Sequence, residues 1–584
     1  MTFPSDTTLA LISWLASRNT EQLQNLIRHR GIAYSSCTSF RSLAQALLDP
    51  ENIRASVQRL ARAELQALVD PDSATAGSRE TLEERGFLSV TPQGASLLVP
   101  ASSLDLLDEL DSTMSEPALG AASSLTESDV SAAASHALTL VVSVSDLLDA
   151  VADARFPLNH DGELTATSLK NLHSELGIGY DIPLLWRCAT QAGLLGPKNS
   201  AAALTPSALA WRDVPDEDRL ALLAESWWSQ VPPWLSHTIS AHPAMAWDAT
   251  LVSHLSYYYP LADAEPIVAE VLSDAQMVGV LHGALPTPWG LALWGSGDVA
   301  TAFRSSIPPY APGVFAHDDY TLLASGPLQP HHRRVLADIT ARELGGLVPR
   351  YRITAASVLN ALQDGIAPAS IPTLLAEVCV NEVPESMVAL AEDVARRALD
   401  LEVHPHGDST TITTRRDALA EELLSDPGLI VLGLKRSGDR ELRCSWPAER
   451  VHSTLLAASY PSLLVDSSGE PLASDPPLAE PHDMASDERH HTALAELVAS
   501  AQESAAKGVP AGFTSIIEVA TETKTPLEIV VTMPDGSSVT VVMEPRALSA
   551  GRLRGVEVKH AVEKTFPVSH ITSVRAWSQE DEED

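Results

Sequence analysis

One pattern, met three times, constrains this chain most. A helical run ends at a glycine, an aliphatic pair follows, and a polar turn leads to a second short apolar run. It stands at Gly86-Phe87-Leu88, at Gly193-Leu194-Leu195 and at Gly279-Val280-Leu281. Glycine supplies the left-handed backbone that stops a helix, and short apolar runs on either side of a turn pair as a hairpin. Helices are therefore expected over 181–192 and 261–278, with hairpins over 194–204 and 281–286. Helices followed by a small hairpin are the arrangement of a winged-helix unit, and the three copies suggest tandem units.

The helices announce themselves by spacing. Leu9, Leu11, Ile12, Trp14 and Leu15 lead into Leu23, Leu26 and Ile27; Leu43, Ala44, Leu47 and Leu48 follow, then Ile53, Val57, Leu60, Leu65 and Leu68. Steps of three and four place these side chains on single helix faces. Further helices are expected over 144–152 and 167–176. The end of the chain has a different rhythm. Leu527–Met533 faces Ser538–Val542 across Pro534-Asp535-Gly536, and an Asp-Gly turn between β-branched runs marks a hairpin. Strands at 556–558 and 564–568 and a helix over 513–520 complete a small antiparallel β module. The fold class is mainly α with small β elements, α+β.

At 584 residues the chain exceeds what one core can serve, so about three to five domains are expected. Residues 101–130 hold seven acids and no Lys or Arg, and residues 466–489 hold seven acids against one Arg. Low hydrophobicity with uncompensated charge predicts flexible linkers there. The expected boundaries are a winged-helix-like unit at 1–98, an acidic linker at 99–135, two winged-helix-like units at 136–305, a further domain at 306–465, a flexible linker at 466–510, the β module at 511–577 and an acidic tail at 578–584.

A net charge of −37 opposes tight non-specific DNA binding by the whole molecule. Cys37, Cys188, Cys379 and Cys444 are scattered, with no CxxC pair. That fits a reducing compartment. No basic stretch precedes the first apolar residues, and no run approaches the ~20 apolar residues that span a bilayer. A cytoplasmic protein without membrane contact is the expectation.

The sequence carries no motif for catalytic chemistry. A phosphate cradle needs Gly-rich amides with a Lys at a helix start, and Gly-Lys-Ser or Gly-Lys-Thr is absent; Lys507-Gly508 has the order reversed. Asp487-Glu488-Arg489-His490 matches a helicase acidic box in letters, but Pro481-His482-Asp483 before it cannot form the buried strand that box requires. His331-His332 and His490-His491 lack Cys or carboxylate partners at ligand spacing. No nucleophile elbow or dinucleotide fingerprint is present. No catalytic, cofactor-binding or metal residue is proposed, and the chain is not expected to be an enzyme.

Basic positions remain. Residues 1–62 carry seven arginines against four acids, and Arg28, Arg30, Arg54, Arg59 and Arg62 could line one phosphate-facing surface. A second group comprises Arg333, Arg334, Arg350 and Arg352, followed by Arg396 and Arg397. The bland alternative is a set of solvated helix positions, with Arg396 and Arg397 complementing a helix dipole. The helix over 181–192 opens with an acid and offers only Arg187, so it makes a poor reader of base edges.

The stretch 315–328, Phe-Ala-His-Asp-Asp-Tyr-Thr-Leu-Leu-Ala-Ser-Gly-Pro-Leu, continues into Tyr351-Arg352-Ile353-Thr354-Ala355-Ala356-Ser357-Val358, Ala361–Gly365, Val383-Pro384 and Asp393–Arg397. It resembles the N-terminal domain of XPB-type repair helicases. Ser13-Trp14-Leu15, residues 23–30 and the run from Ser56 to Leu65 are similar to actinobacterial helicase-associated proteins. The β module looks like a WYL-type module in which Arg552-Leu553-Arg554 stands in place of the aromatic triplet. Together these resemblances imply a helicase-associated accessory protein of DNA repair or DNA metabolism. It would act beside a separate XPB-like DNA helicase and touch DNA, if at all, through local basic patches. The competing expectations are a transcriptional regulator with a sensing β module and, last, an unrecognised enzyme.

Overall fold

The computed structural model describes residues 5–577 except 34–36, 72–73, 92–93, 100–106, 108–114, 119–123, 161, 178–180, 408, 467, 473–477, 480–493, 496, 500–512, 534–536 and 550. The Asp535-Gly536 turn, the acidic box at 487–490, His490-His491, Lys507-Gly508 and the acidic tail lie outside the described residues. The chain is α+β, about 52% helix and 19% strand. It forms two compact units, residues 1–122, 232–272 and 483–584 in one and residues 123–231 and 273–482 in the other.

The first unit opens with short helices, each started by a local device. Asn19 and Gln22 cap one another at Thr20–Arg30, which Gly31 ends at φ 62°. Ser39 and Ser42 do the same at Phe40–Leu47. Such reciprocal bonds satisfy amide groups that a helix start leaves unpaired. After Ala76–Glu84, Gly86 at φ 67° leads into the hairpin Leu88–Thr91 with Gly94–Leu97. Helices Pro233–Ala241 and Ala249–Tyr258 belong to the same unit. So does a five-stranded antiparallel sheet, in spatial order Glu563–Pro567, Arg552–Glu557, Ser538–Ser549, Leu527–Thr532 and Ile571–Ala576, packed with helix Phe513–Thr523.

One apolar core joins the two ends of the chain. Leu11, Ile12, Leu15 and Leu43 from the first helices share it with Ile516, Ile517, Leu527, Ile529 and Ile571 from the last elements. Residues 1–98 and 511–577 thus complete a single hydrophobic interior, with Arg41 bidentate on Glu522 at its rim.

In the second unit the helix Glu127–Asp153 runs through the interior. It starts where an acidic linker was expected over 99–135 and is far longer than the helix expected at 144–152. Thr126 and Asp129 form a capping box at its start, so the acid that suggested solvated linker is an N-terminal signal. The helix has the length and mean hydropathy, 1.4, of a membrane span, and 61% of its most apolar window is buried within the protein.

The repeated pattern is physically the same each time. Phe87, Leu194 and Val280 donate their amides to Leu82, Ala189 and Ala275, five residues before the preceding glycine's successor in the chain, at 2.8, 2.9 and 3.0 Å. This is the bond that closes a helix on a left-handed glycine. The carbonyls of Phe87, Leu194 and Val280 then accept from Leu98, Thr205 and Thr287 beyond each hairpin. A side chain at Gly279 would lie 2.7 Å from Ala137 Cβ, so the close approach to the long helix at that point requires glycine.

Residues 311–472 form two linked layers in this unit. An antiparallel sheet in the order Val314–Ala316, Thr321–Ala324, Arg350–Arg352, Ala341–Leu344 shares a core with Pro330–Ile339, Ala355–Gln363, Ser370–Val378 and Glu385–Leu399. A second sheet follows in the order Lys435–Arg436, Glu441–Cys444, Ser409–Thr414, Leu401–His406, Leu463–Leu464, with Asp417–Ser425 and Ala448–Ala457 on one side. Its last strand is parallel to its neighbour. Gln363 stitches the layers together, its side chain bonding the amide and carbonyl of Leu464 at 2.8 Å each.

Candidate interaction surfaces

Placing the eleven arginines singled out by the sequence decides what surfaces remain. Arg30 is a correction. Its side chain is 3% exposed and donates to the carbonyls of Leu47 (2.6 Å) and Arg85 (3.1 Å) and to Asn52 Oδ1 (3.0 Å), with its guanidinium over Phe87. Burial pulls it down to about 9. A group enclosed this way closes the turn between helices and cannot meet a phosphate. Arg62 is half-buried, stacked on Tyr257 and donating to its carbonyl at 2.8 Å. Arg28, Arg54 and Arg59 are exposed, and Arg28 reaches Asn25 at 3.3 Å. The five do not share one phosphate-facing role.

Arg333 and Arg334 bind inward. Asp216, fully buried at the first turn of helix Asp216–Trp228, accepts from Arg333, from Arg219 at 3.3 Å and from the hydroxyl of Tyr310 at 3.0 Å. Arg219 also donates to the carbonyls of Trp211 and Arg212, both at 3.0 Å. Burial draws Arg219 down to about 10, with Asp216 pulling the other way. Burial and Asp216 together push the Tyr310 phenol upward. Arg334 pairs with Asp213. Nearby, Arg342 clasps Asp146 at 2.5 Å and Asp149 at 3.5 Å, and Arg212 reaches Asp149 at 3.2 Å.

These links hold the helices of 127–228 onto the sheet domain of 311–472 inside the second unit. A cavity of about 360 Å³ sits beside them, lined by Arg212, Asp213, Glu217, Tyr310, His331 and Arg334 among others. Cations and carboxylates are mixed on its walls, so it does not favour an anion.

Arg350 and Arg352 share one partner, Glu343, on the neighbouring strand. Arg396 and Arg397 share Asp393 one turn back in the last turn of Glu385–Leu399. All four side chains are a third or more exposed, so their pairs leave outward-facing N–H groups. Arg187, the lone cation of the helix Ile182–Gln191, pairs with Asp274 at 2.6 Å. His331 bonds Glu377 at 2.7 Å, and burial lowers His332. Among the described residues no cluster of three or more His, Cys, Asp or Glu could hold a metal ion. Burial raises the thiols of Cys37, Cys188 and Cys379 to about 11, which makes them poor nucleophiles.

The residues missed by sequence reasoning are the acceptors, Asp146, Asp149, Asp213 and Asp216. Each looks like a solvated helix acid, and the partners that tie Asp146, Asp213 and Asp216 to the sheet domain lie 117 to 196 positions away. No local spacing signals such a pair.

Residues 314–438 match the family of helicase conserved C-terminal domains. The chain therefore carries a helicase-related domain. The match begins at the first strand of the domain and ends between Arg436 and Glu441, whereas the second sheet continues to Leu464. No curated protein matches the chain.

Proposed function

We propose that this chain is a non-catalytic, helicase-associated accessory protein of DNA repair or DNA metabolism, acting beside a separate XPB-like helicase in the cytoplasm. One observation carries the reading: a helicase-related domain at 314–438 stands in a chain with no Gly-Lys-Ser or Gly-Lys-Thr anywhere. A motor needs a phosphate cradle together with a magnesium carboxylate. Resemblance to XPB-type N-terminal domains supports a partner of that kind, and a WYL-type kinship of residues 511–577 belongs to the same proposal. Contact with the helicase or DNA would fall on Arg350, Arg352, Arg396 and Arg397, whose pairs face solvent, and on Arg28, Arg54 and Arg59.

The experiment is capture of the tagged protein from its native cell, followed by assay of the captured helicase. The reading expects an XPB-like helicase in the complex and a changed unwinding rate when the protein is added back. Capture without any helicase, together with no effect on the purified enzyme, would overturn it.

A further inference from the structure

One face of the sheet that opens the helicase-related domain lies open to solvent. Val314, Ala316, Leu322, Ala324 and Tyr351 point into the core, so the residues that alternate with them point away from it. Those outward residues fall on one line across the strands. Phe315 lies directly opposite Leu323, Leu323 opposite Arg350, and Arg350 opposite Leu344. Phe315 is 42%, Leu323 37% and Leu344 55% exposed, and the Arg350 side chain 48%. Scattered apolar side chains on a surface mean little, whereas a contiguous apolar patch marks an interaction site. Here the strand register makes the patch contiguous.

The charges beside the row carry both signs. Glu343 serves Arg350, at 2.9 Å, and Arg352 as well. Arg352 also donates to the carbonyl of Asp319 at 2.6 Å, which sets the turn of residues 317–320 beside it. That turn carries Asp318, exposed and without a cation partner among the described residues. Two arginines therefore share one acid on one half of the face, and an unanswered acid stands at the end of the other half. Such a face favours neither a phosphate backbone nor a uniformly acidic peptide, but it complements itself.

We propose that two copies of the chain associate through this face, about a two-fold axis that runs along the strands between Thr321–Ala324 and Arg350–Arg352. A two-fold contact must be self-complementary, and the register meets that condition. The axis exchanges the outer strands, so Phe315 of each copy meets Leu344 of the other. Leu323 meets the aliphatic stem of Arg350 of the second copy. The same rotation carries the arginine half of each copy over the half that ends in the Asp318 turn. Association covers Arg350 and Arg352, so the helicase contact proposed above then rests on Arg396, Arg397, Arg28, Arg54 and Arg59. The dimer itself does not depend on that reading.

Sedimentation of the full chain should show a dimer forming between about 1 and 100 µM, because a single row of side chains is small for a stable interface. Leu323→Asp should weaken association about tenfold or more with an unchanged thermal midpoint, and Leu323→Ser replaces it should the Asp variant fail to fold. The sharper test is geometric. Phe315→Cys and Leu344→Cys, purified separately and mixed under mild oxidation, should form a disulfide-linked pair much faster than either forms with itself. The axis holds equivalent positions three strand spacings apart, about 14 Å, too far to bridge. A monomer at about 100 µM, a dimer indifferent to the Leu323 variants, or cross-linking of like with like overturns the proposal. Single-stranded DNA or another protein, bound by a monomeric chain and released by Leu323→Asp, overturns it too, by giving the face a different occupant.

Discussion

Each of the two units is closed internally by a different force. In the first, segments from the beginning, middle and end of the chain meet in one apolar core, and the ion pair Arg41–Glu522 sits at its rim. In the second, the long-helix region and the helicase-related domain are joined by arginines seated on buried or half-buried aspartates. Apolar closure is forgiving, because burial is non-directional and roughly proportional to area. Closure by buried charge is brittle, because removing one partner strands the other away from water.

The largest expected effect follows from that contrast. Asp216→Ala leaves Arg219 and Arg333 enclosed without their acceptor and should cost the second unit about 3–5 kcal/mol. Chemical denaturation should show the second unit melting early, with the first unchanged. A loss below about 1 kcal/mol would mean that water replaces the carboxylate and the clamp matters little.

Next comes Arg30, buried in the first unit. Arg30→Met removes three hydrogen bonds and should cost about 3 kcal/mol, since the carbonyls of Leu47 and Arg85 lose their donor. A smaller loss than at Asp216 sharpens the comparison, and a larger one breaks it.

The outward arginines should behave differently. Arg396→Glu with Arg397→Glu gives up a dipole interaction and two exposed pairs, and should cost about 1 kcal/mol or less. If these residues meet a helicase or DNA, binding falls while the melting curve hardly moves.

The smallest effect is a pH dependence in the second unit. Burial raises Asp338, with Arg212 and Arg334 opposing and Asp149 and Asp364 adding to the rise. A raised carboxyl contributes stability that is complete below its unfolded value, about 4, and lost as pH rises through the folded value. Asp338→Asn should therefore raise the unfolding midpoint at pH 8, with the gain vanishing by about pH 4. An unchanged or lowered midpoint at pH 8 would show that the arginines outweigh burial.

Much of the fold was legible because helix and strand periods are local. Gly86, Gly193 and Gly279 could be recognised as stops, and the backbone at each is left-handed, at φ 67°, 67° and 81°. The long helix was cut short because Ser, Ala and two acids in its first turns carry weak apolar rhythm. The site was far less legible. Arg333 and Arg334 read as a basic patch only because Asp213 and Asp216, which neutralise them, stand more than a hundred residues earlier. Arg30 looked like its neighbour Arg28, and nothing local reveals that one is enclosed and the other in water.

Hydrolysis of magnesium–ATP by the purified chain, measured with and without single-stranded DNA, tests the central claim most directly. The account predicts no turnover above that of a mock preparation, and no bound nucleotide in equilibrium dialysis, because no segment supplies a phosphate cradle. Turnover that follows the protein through successive columns would contradict it and make the helicase-related domain part of a working motor.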